Sequence, residues 1–488
     1  MSVTMSEIRV DFHGEVAGVG ELTWGQSGIW RRTQDTGRTM NVVVITALPP
    51  GTLLGEVAAI LRFAVGRHPA LRTRLRFVEE SGGSRHPQQV VADAGQVPLQ
   101  ILDIDGDDGD DAAVVAEELR ARYEATWFDY ETEFPVRMGV VRQRQSGALA
   151  YLVAGYSHVM TDGAGIQTIV RDLMHLDRVT GEATAPAQVL DPLELARSQS
   201  GPAGRRQTGK CLRYWAAQLE RLPTRWQAAP PIDPPEPRYW ELVAYSPAME
   251  LGLRTIAART KIASNYVLIA AYAVAVARVM GRNPSVVQLV VHNRFRPGFA
   301  ETVGQVSQPG ICVVDVADAG FDEVVVRAWT AATKASLHAY YDPRECDRLL
   351  DEAEANRGRP LDISWHLNDR RGMSAPDEED SQEPVTQEQL RAAIREALSH
   401  TKLYWDRKSP VFDGTLFIQV DSNPEPTIPG RSALEEGLPA VYLEAWTDMR
   451  HFAPAQIEAF VREMEAIVVQ AALEPTVVTG ALWSSTAA

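Results

Sequence analysis

Cysteine, lysine and long apolar runs are what this sequence has least of. Its 488 residues hold three cysteines, Cys211, Cys312 and Cys346. They lie far apart, and none has a second cysteine or a histidine at ligand spacing, which excludes a disulfide framework and a structural zinc site. A reduced, cytoplasmic protein with no bound metal or cofactor is the expectation. Only five lysines, Lys210, Lys261, Lys334, Lys402 and Lys408, stand among 48 basic residues. Positive charge is therefore almost all arginine, which we read as the codon bias of a GC-rich genome. Against 64 acidic residues the net charge is -16, so nucleic acid is not the default partner. No run approaches ~18 apolar residues, and the N-terminus MSVTMSEIRVDFHGE has no basic region followed by an apolar one, so neither membrane spanning nor export is expected. There is no G-x-S-x-G elbow, no phosphate-cradling G-x-x-x-x-G-K and no dinucleotide fingerprint, which removes the serine hydrolase, nucleotide-dependent and dehydrogenase readings. The acidic stretch Asp103 to Asp111 fails as a calcium loop, because the required glycine falls on Asp108 and the terminal glutamate on Val114.

What is present is the balance of a globular chain, 45% hydrophobic and 23% charged. Its length exceeds one ordinary core and predicts two domains. Apolar runs expected as strands, among them 41–48, 136–142, 149–156, 286–291, 311–316 and 415–420, alternate with helical periodicities at 53–65, 112–127, 251–260, 266–280, 322–338 and 454–473. That alternation gives an α/β class with mixed sheets. From Gly181 to Gly209 the chain turns to Ala, Pro, Gly, Ser and Gln, and six prolines fall between Pro223 and Pro237. The expected organisation is an N-terminal subdomain at 1–182, a helix and Pro-rich linker region at 183–240, and a C-terminal subdomain at 241–488. Within the last, 370–386 is an acidic insertion expected to be mobile.

One stretch concentrates the chemistry. Leu149 to Tyr156 reads as a buried strand, and from Ala164 the residues Ile166, Ile169, Val170, Leu173 and Leu176 recur at helical steps, with Asp172 off that face. Between them lies Ser157-His158-Val159-Met160-Thr161-Asp162-Gly163. Imidazole is the side chain that titrates nearest neutral pH, and a strand end can hold it toward a cleft, so His158 is the best placed base in the chain. Asp162 stands where it can cap the helix, and Gly163 lets backbone approach closely. The helix N–H groups there suit a developing oxyanion. The remaining histidines form no ligand-spaced pair and read as core or surface residues.

His158-xxx-Asp162-Gly163 resembles the HxxxDG motif of the chloramphenicol acetyltransferase superfamily, written HHxxxDG in the condensation domains of nonribosomal peptide synthetases. Other stretches match in the family's order. Leu22 to Trp30, LTWGQSGIW, resembles S-x-A-Q-x-R-L-W, and Arg67 to Leu75, RHPALRTRL, is similar to R-H-E-x-L-R-T-x-F. Phe128-Asp129-Tyr130 through Arg137 resembles F-D-L…P-L-R, and Asn293-Arg294 through Val303-Gly304 resembles the later crossover segment G-R…V-G-x-F-V-N. Two departures stand out. Ser157 occupies the place of the family's first histidine, and Gln305-Val306-Ser307-Gln308 replaces F-V-N-T.

The resemblance implies two chloramphenicol-acetyltransferase-like subdomains arranged as a V. It also implies two thioester substrates on the phosphopantetheine arms of carrier proteins. Carried over, His158 orients or deprotonates the attacking group and Gly163 helps hold the oxyanion. Asp162 would instead pair with an arginine, for which Arg294 is the candidate and Arg296 the alternate, and Ser157 is a structural neighbour at the site. With no attached carrier or adenylation segment, the expected activity is a separate condensation enzyme forming an amide or an ester. Two alternatives stay open: an inactive platform that docks carrier proteins or tailoring enzymes, and an acyltransferase to a free alcohol or amine. The plant-type D-F-G-W-G motif is missing, which counts against the last.

Overall fold

Apolar, β-branched runs such as Val136–Gln143, Leu149–Tyr156 and Ser285–Val291 form inner strands of this fold. The computed structural model describes residues 2–79, 85–105, 109–177, 181–186, 190–223, 233–371, 386–422 and 439–480. Among them the chain divides into two units, one built from the chain up to Gln207 together with His292–Ser307, the other from Thr208–Val291 and Gln308 onward.

In unit 1 the elements run β1 (Val3–His13), β2 (Gly18–Glu21), α1 (Trp24–Thr36), β3 (Val42–Ala47), α2 (Leu54–Arg67), β4 (Thr73–Glu79), β5 (Arg85–Val91), β6 (Ala94–Ile104), α3 (Gly109–Ala125), β7 (Val136–Gln143), β8 (Leu149–Tyr156), α4 (Gly163–Asp172) and α5 (Pro192–Ser200). Five strands form one sheet in the order β1-β6-β7-β8-β3, and β2-β5-β4 form a second. The β6/β7 pair is parallel among antiparallel neighbours. β8 is hydrogen-bonded on both sides, Tyr156 facing Val136 on β7 and Val42 on β3, so the strand that delivers the motif is fixed laterally. Ile166 and Ile169 of α4 join the core of this sheet with Val57 and Leu61 of α2. Burying such aliphatic side chains contributes about 1.5–3 kcal/mol each.

Unit 2 begins within α6 (Pro202–Glu220), at Thr208, and continues through β9 (Tyr239–Ser246), α7 (Pro247–Thr260), α8 (Ser264–Met280), β10 (Ser285–Val291), β11 (Gln308–Val314), α9 (Phe321–Leu337), α10 (Pro343–Arg357), β12 (Trp365–Asp369), α11 (Gln387–Ser399), β13 (Lys402–Ser409), β14 (Leu416–Asp421), β15 (Val441–Asp448) and α12 (Pro454–Leu473). Its seven strands lie in the order β11-β10-β12-β14-β15-β9-β13, with β12 parallel to both β10 and β14. Every residue of α8 from Val267 to Val276 is buried, as a helix apolar all round requires. The class is therefore α/β with mixed sheets. All three cysteines are buried, and no single helix among the described residues is long and apolar enough to cross a membrane.

The division differs from the expected boundaries 1–182, 183–240 and 241–488 in two respects. The region expected to hold a helix and a Pro-rich linker carries two helices: α6, which includes the expected one but starts earlier, and α5, which was not expected, because Pro192 and Pro202 stand at helix starts, where a missing N–H costs nothing. Residues 292–307, placed by sequence order with the C-terminal part, belong to unit 1. Asp103, the first residue of the acidic stretch, lies within β6 and is paired with Arg142 of β7 at 2.6 Å. The hydrogen bond from Arg142 outweighs burial and holds its carboxyl below the usual range. The acidic insertion 370–386 lies, from 372 to 385, outside the described residues.

Candidate active site

The chain leaves β8 at Ser157 and turns at once. Ser157 N–H donates to Pro135 O at 3.0 Å, and its carbonyl accepts from Met160 N–H at 3.0 Å and Thr161 N–H at 3.2 Å. This closes a turn that returns Thr161 beneath His158, whose Nδ1 lies 2.9 Å from Thr161 O. A carbonyl only accepts, so Nδ1 carries a proton, and in the neutral ring Nε2 is the acceptor. His158 is half-buried, whereas Val159, Met160 and Thr161 are buried. The loop is thus anchored through its other residues and presents the imidazole.

Asp162 is 2% exposed and caps α4, its Oδ1 accepting from Gly165 N–H at 2.8 Å. The structure places Arg294 against it, Nη2 to Oδ1 at 2.7 Å and Nη1 to Oδ2 at 3.0 Å. Ser307 adds its hydroxyl at 2.6 Å and its N–H at 3.2 Å, both to Oδ2. Burial pushes the Asp162 carboxyl up, but Arg294, Ser307 and the Gly165 N–H together outweigh it and hold it below the ordinary value. Two carboxylate oxygens offer about four lone-pair sites, and these donors fill them. Asp162 is therefore a fixed anion that shapes the loop, with no capacity left to take a substrate proton. Arg294 also donates to Thr302 O at 2.8 Å, which fastens the crossover segment to itself. Arg296, the alternate candidate, turns instead to Asn293 Oδ1 at 2.8 Å. Asn293 has φ 57°, a left-handed conformation that asparagine tolerates. Gly163 opens α4 and is half-buried.

Several residues at the site escaped the sequence reading. A Cβ on Gly165 would collide with Thr161 Oγ1, and one on Gly25 with the carbonyl oxygen of Gln305, so Gly165 leaves room for the Thr161 side chain and Gly25 for the backbone at Gln305. Asp172, expected merely off the apolar face of α4, is paired bidentately with Arg67 and lies 3.1 Å from His68 Nε2. Burial raises its carboxyl, but His68 and Arg67 outweigh that and hold it well below the usual range. α4 is consequently pinned by an ion pair at each end. Tyr130 donates to or accepts from Ser157 Oγ at 2.8 Å. The motif stretches RHP and FDY carried the signal for Arg67, His68 and Tyr130, but not the identity of their partners.

Mixed sheets, a His-bearing turn after a central strand and a buried Asp–Arg pair at the following helix define a condensation-type fold and site. The condensation domain family model matches residues 17–402, and the chain belongs to that family. Over 335 residues, 65% of this chain, it is 25% identical to nonribosomal peptide synthetase kk1B of Curvularia clavata, of which it spans 2%. A stretch of 176 residues, 35% of this chain, is 29% identical to phosphinothricin tripeptide synthetase PhsB of Streptomyces viridochromogenes, of which it spans 14%. The chain thus spans a small part of the length of the curated relatives it matches. Among solved structures, the X-domain from teicoplanin biosynthesis superposes with a TM-score of 0.66 at 18% identity, covering 95% of this chain and 97% of that one. SgcC5 from Streptomyces globisporus gives a TM-score of 0.65 at 18% identity, covering 94% of this chain and all of that one, 100%. At such identities the likeness is one of fold.

Proposed function

We propose that this condensation domain joins an acyl or aminoacyl thioester, tethered to the phosphopantetheine of a carrier protein, to an amine or hydroxyl acceptor in nonribosomal peptide or related natural-product biosynthesis. The observation that carries the reading is the Nδ1 contact of His158 with Thr161 O, which reserves Nε2 as the acceptor. In the proposed reaction Nε2 takes the acceptor's proton as the N–H or O–H attacks the thioester carbonyl. The oxyanion develops beside Gly163 at the positive end of α4, and collapse expels the carrier thiolate, which takes the proton back from Nε2. An amine near pKa ~8 is partly neutral at physiological pH and needs positioning above all, whereas a hydroxyl needs its proton removed. With a hydroxyl acceptor and loaded carrier, His158→Ala is expected to lower kcat by roughly 10²-fold or more. Equal rates with and without the imidazole would remove the catalytic assignment.

Ser157, standing where the motif has its first histidine, favours a second reading, in which the domain docks carrier proteins or tailoring enzymes without catalysis. Retention of carrier protein in a pull-down, with no turnover of any loaded donor and acceptor pair, would select it. Turnover with a free alcohol or amine would select the simpler acyltransferase.

A further inference from the structure

Ser157 is not the only unusual residue around the histidine. Tyr130 stands where the F-D-L stretch has leucine, and these two departures meet, Tyr130 OH and Ser157 Oγ lying 2.8 Å apart in a buried hydrogen bond. Ser157 is fully buried and Tyr130 only 6% exposed. The phenol ring is held edge-on to Trp30 at 5.6 Å and against Phe128 at 6.1 Å, and the Tyr130 carbonyl accepts from Leu75 N–H at 2.7 Å. Its hydroxyl therefore has little freedom. Ser157 in turn is the residue whose carbonyl closes the turn onto Met160 and Thr161, and Thr161 O sets the imidazole tautomer.

We propose that Tyr130 is a positioning residue for His158: through Ser157 it fixes the turn whose Thr161 carbonyl keeps the proton on Nδ1. The tyrosine supplies from the facing segment both the volume and the polar contact that a serine is too short to provide. Resting on the reading of His158 as the base, the proposal explains how that base is oriented with a serine before it. A buried hydroxyl stripped of its partner is costly, so loss of either group should loosen the turn.

The test reads the ring directly and needs no substrate. In full-length protein with ¹⁵N-labelled histidine, the neutral His158 ring should show the Nδ1–H tautomer. Tyr130→Phe and Ser157→Ala should each raise the Nε2–H share roughly fivefold, the size of effect one net hydrogen bond produces. Ser157→Thr, which keeps the hydroxyl, should restore the parent spectrum. The double swap Tyr130→Leu with Ser157→His should lie closer to the parent in tautomer and melting temperature than Tyr130→Leu or Ser157→His alone. Unchanged ring signals in both single variants, with or without a lower melting temperature, would reduce the contact to a packing role and overturn the proposal. Additive single effects in the double swap would overturn it equally. Loss of the catalytic reading would show separately, as turnover that survives His158→Ala while the ring still responds to Tyr130.

Discussion

Asp162 and Arg294 illustrate how much a single pair can carry. Both side chains are almost fully buried, at 3% and 8% exposure, so each is tolerable only because the other is there. Arg294→Ala leaves an uncompensated anion beneath the loop and should destabilise the protein by about 3–5 kcal/mol in urea unfolding. Arg294→Lys, which cannot reproduce the forked geometry, should recover only part of that. A loss below about 1 kcal/mol would mean that Ser307 and the helix N-terminus alone hold the carboxylate. At this scale the sequence was informative about residue types and poor about partners. His158, Asp162 and Gly163 stand together in the chain, but Arg294 is 132 positions from Asp162. It was found through the crossover motif, whereas Ser307 entered the reading only as a departure from it.

α4 is the element on which these pairs act. Asp162 and Asp172 sit at its two ends with carboxyls held below their ordinary values. A depressed carboxyl contributes stability that is complete above the unfolded value, about 3.9, and is lost as pH falls through the folded one. Amide protection in α4 should therefore stay level from neutral down to about pH 4 and fall below it, ahead of α8, which rests on apolar burial. Parallel loss in both helices would contradict the pinning. Legibility at this scale followed periodicity. β8, α8 and α12 were plain because one face or all faces are apolar, whereas β1, exposed over most of its length, had no pattern to read. β13 is likewise an edge strand, and it carries Lys402 and Lys408, two of the five lysines. The Lys408 ammonium sits 3.5 Å over the Trp240 ring. Charge on an edge discourages pairing with another chain, and it also blurs the strand signal.

At the scale of the molecule, sequence order and unit membership part company at 292–307. Composition gave no sign of this, since a contiguous reading assigns each segment to its neighbours. A fragment of residues 1–207 keeps all of β8, the His158 turn and α4 but lacks Arg294 and Ser307. It should show no cooperative thermal transition by circular dichroism, or one far below that of the whole chain. A fragment melting with the intact protein would mean that the crossover segment is dispensable to unit 1. The same arrangement imposes an order of events on the ribosome. At about 5–20 residues per second, the 132 positions from Asp162 to Arg294 take on the order of ten seconds to synthesise. Throughout that interval the nascent loop has its anion but no counterion, so the histidine is set only once the second half is under way. A prematurely terminated product would then carry the His158 loop without its anchor.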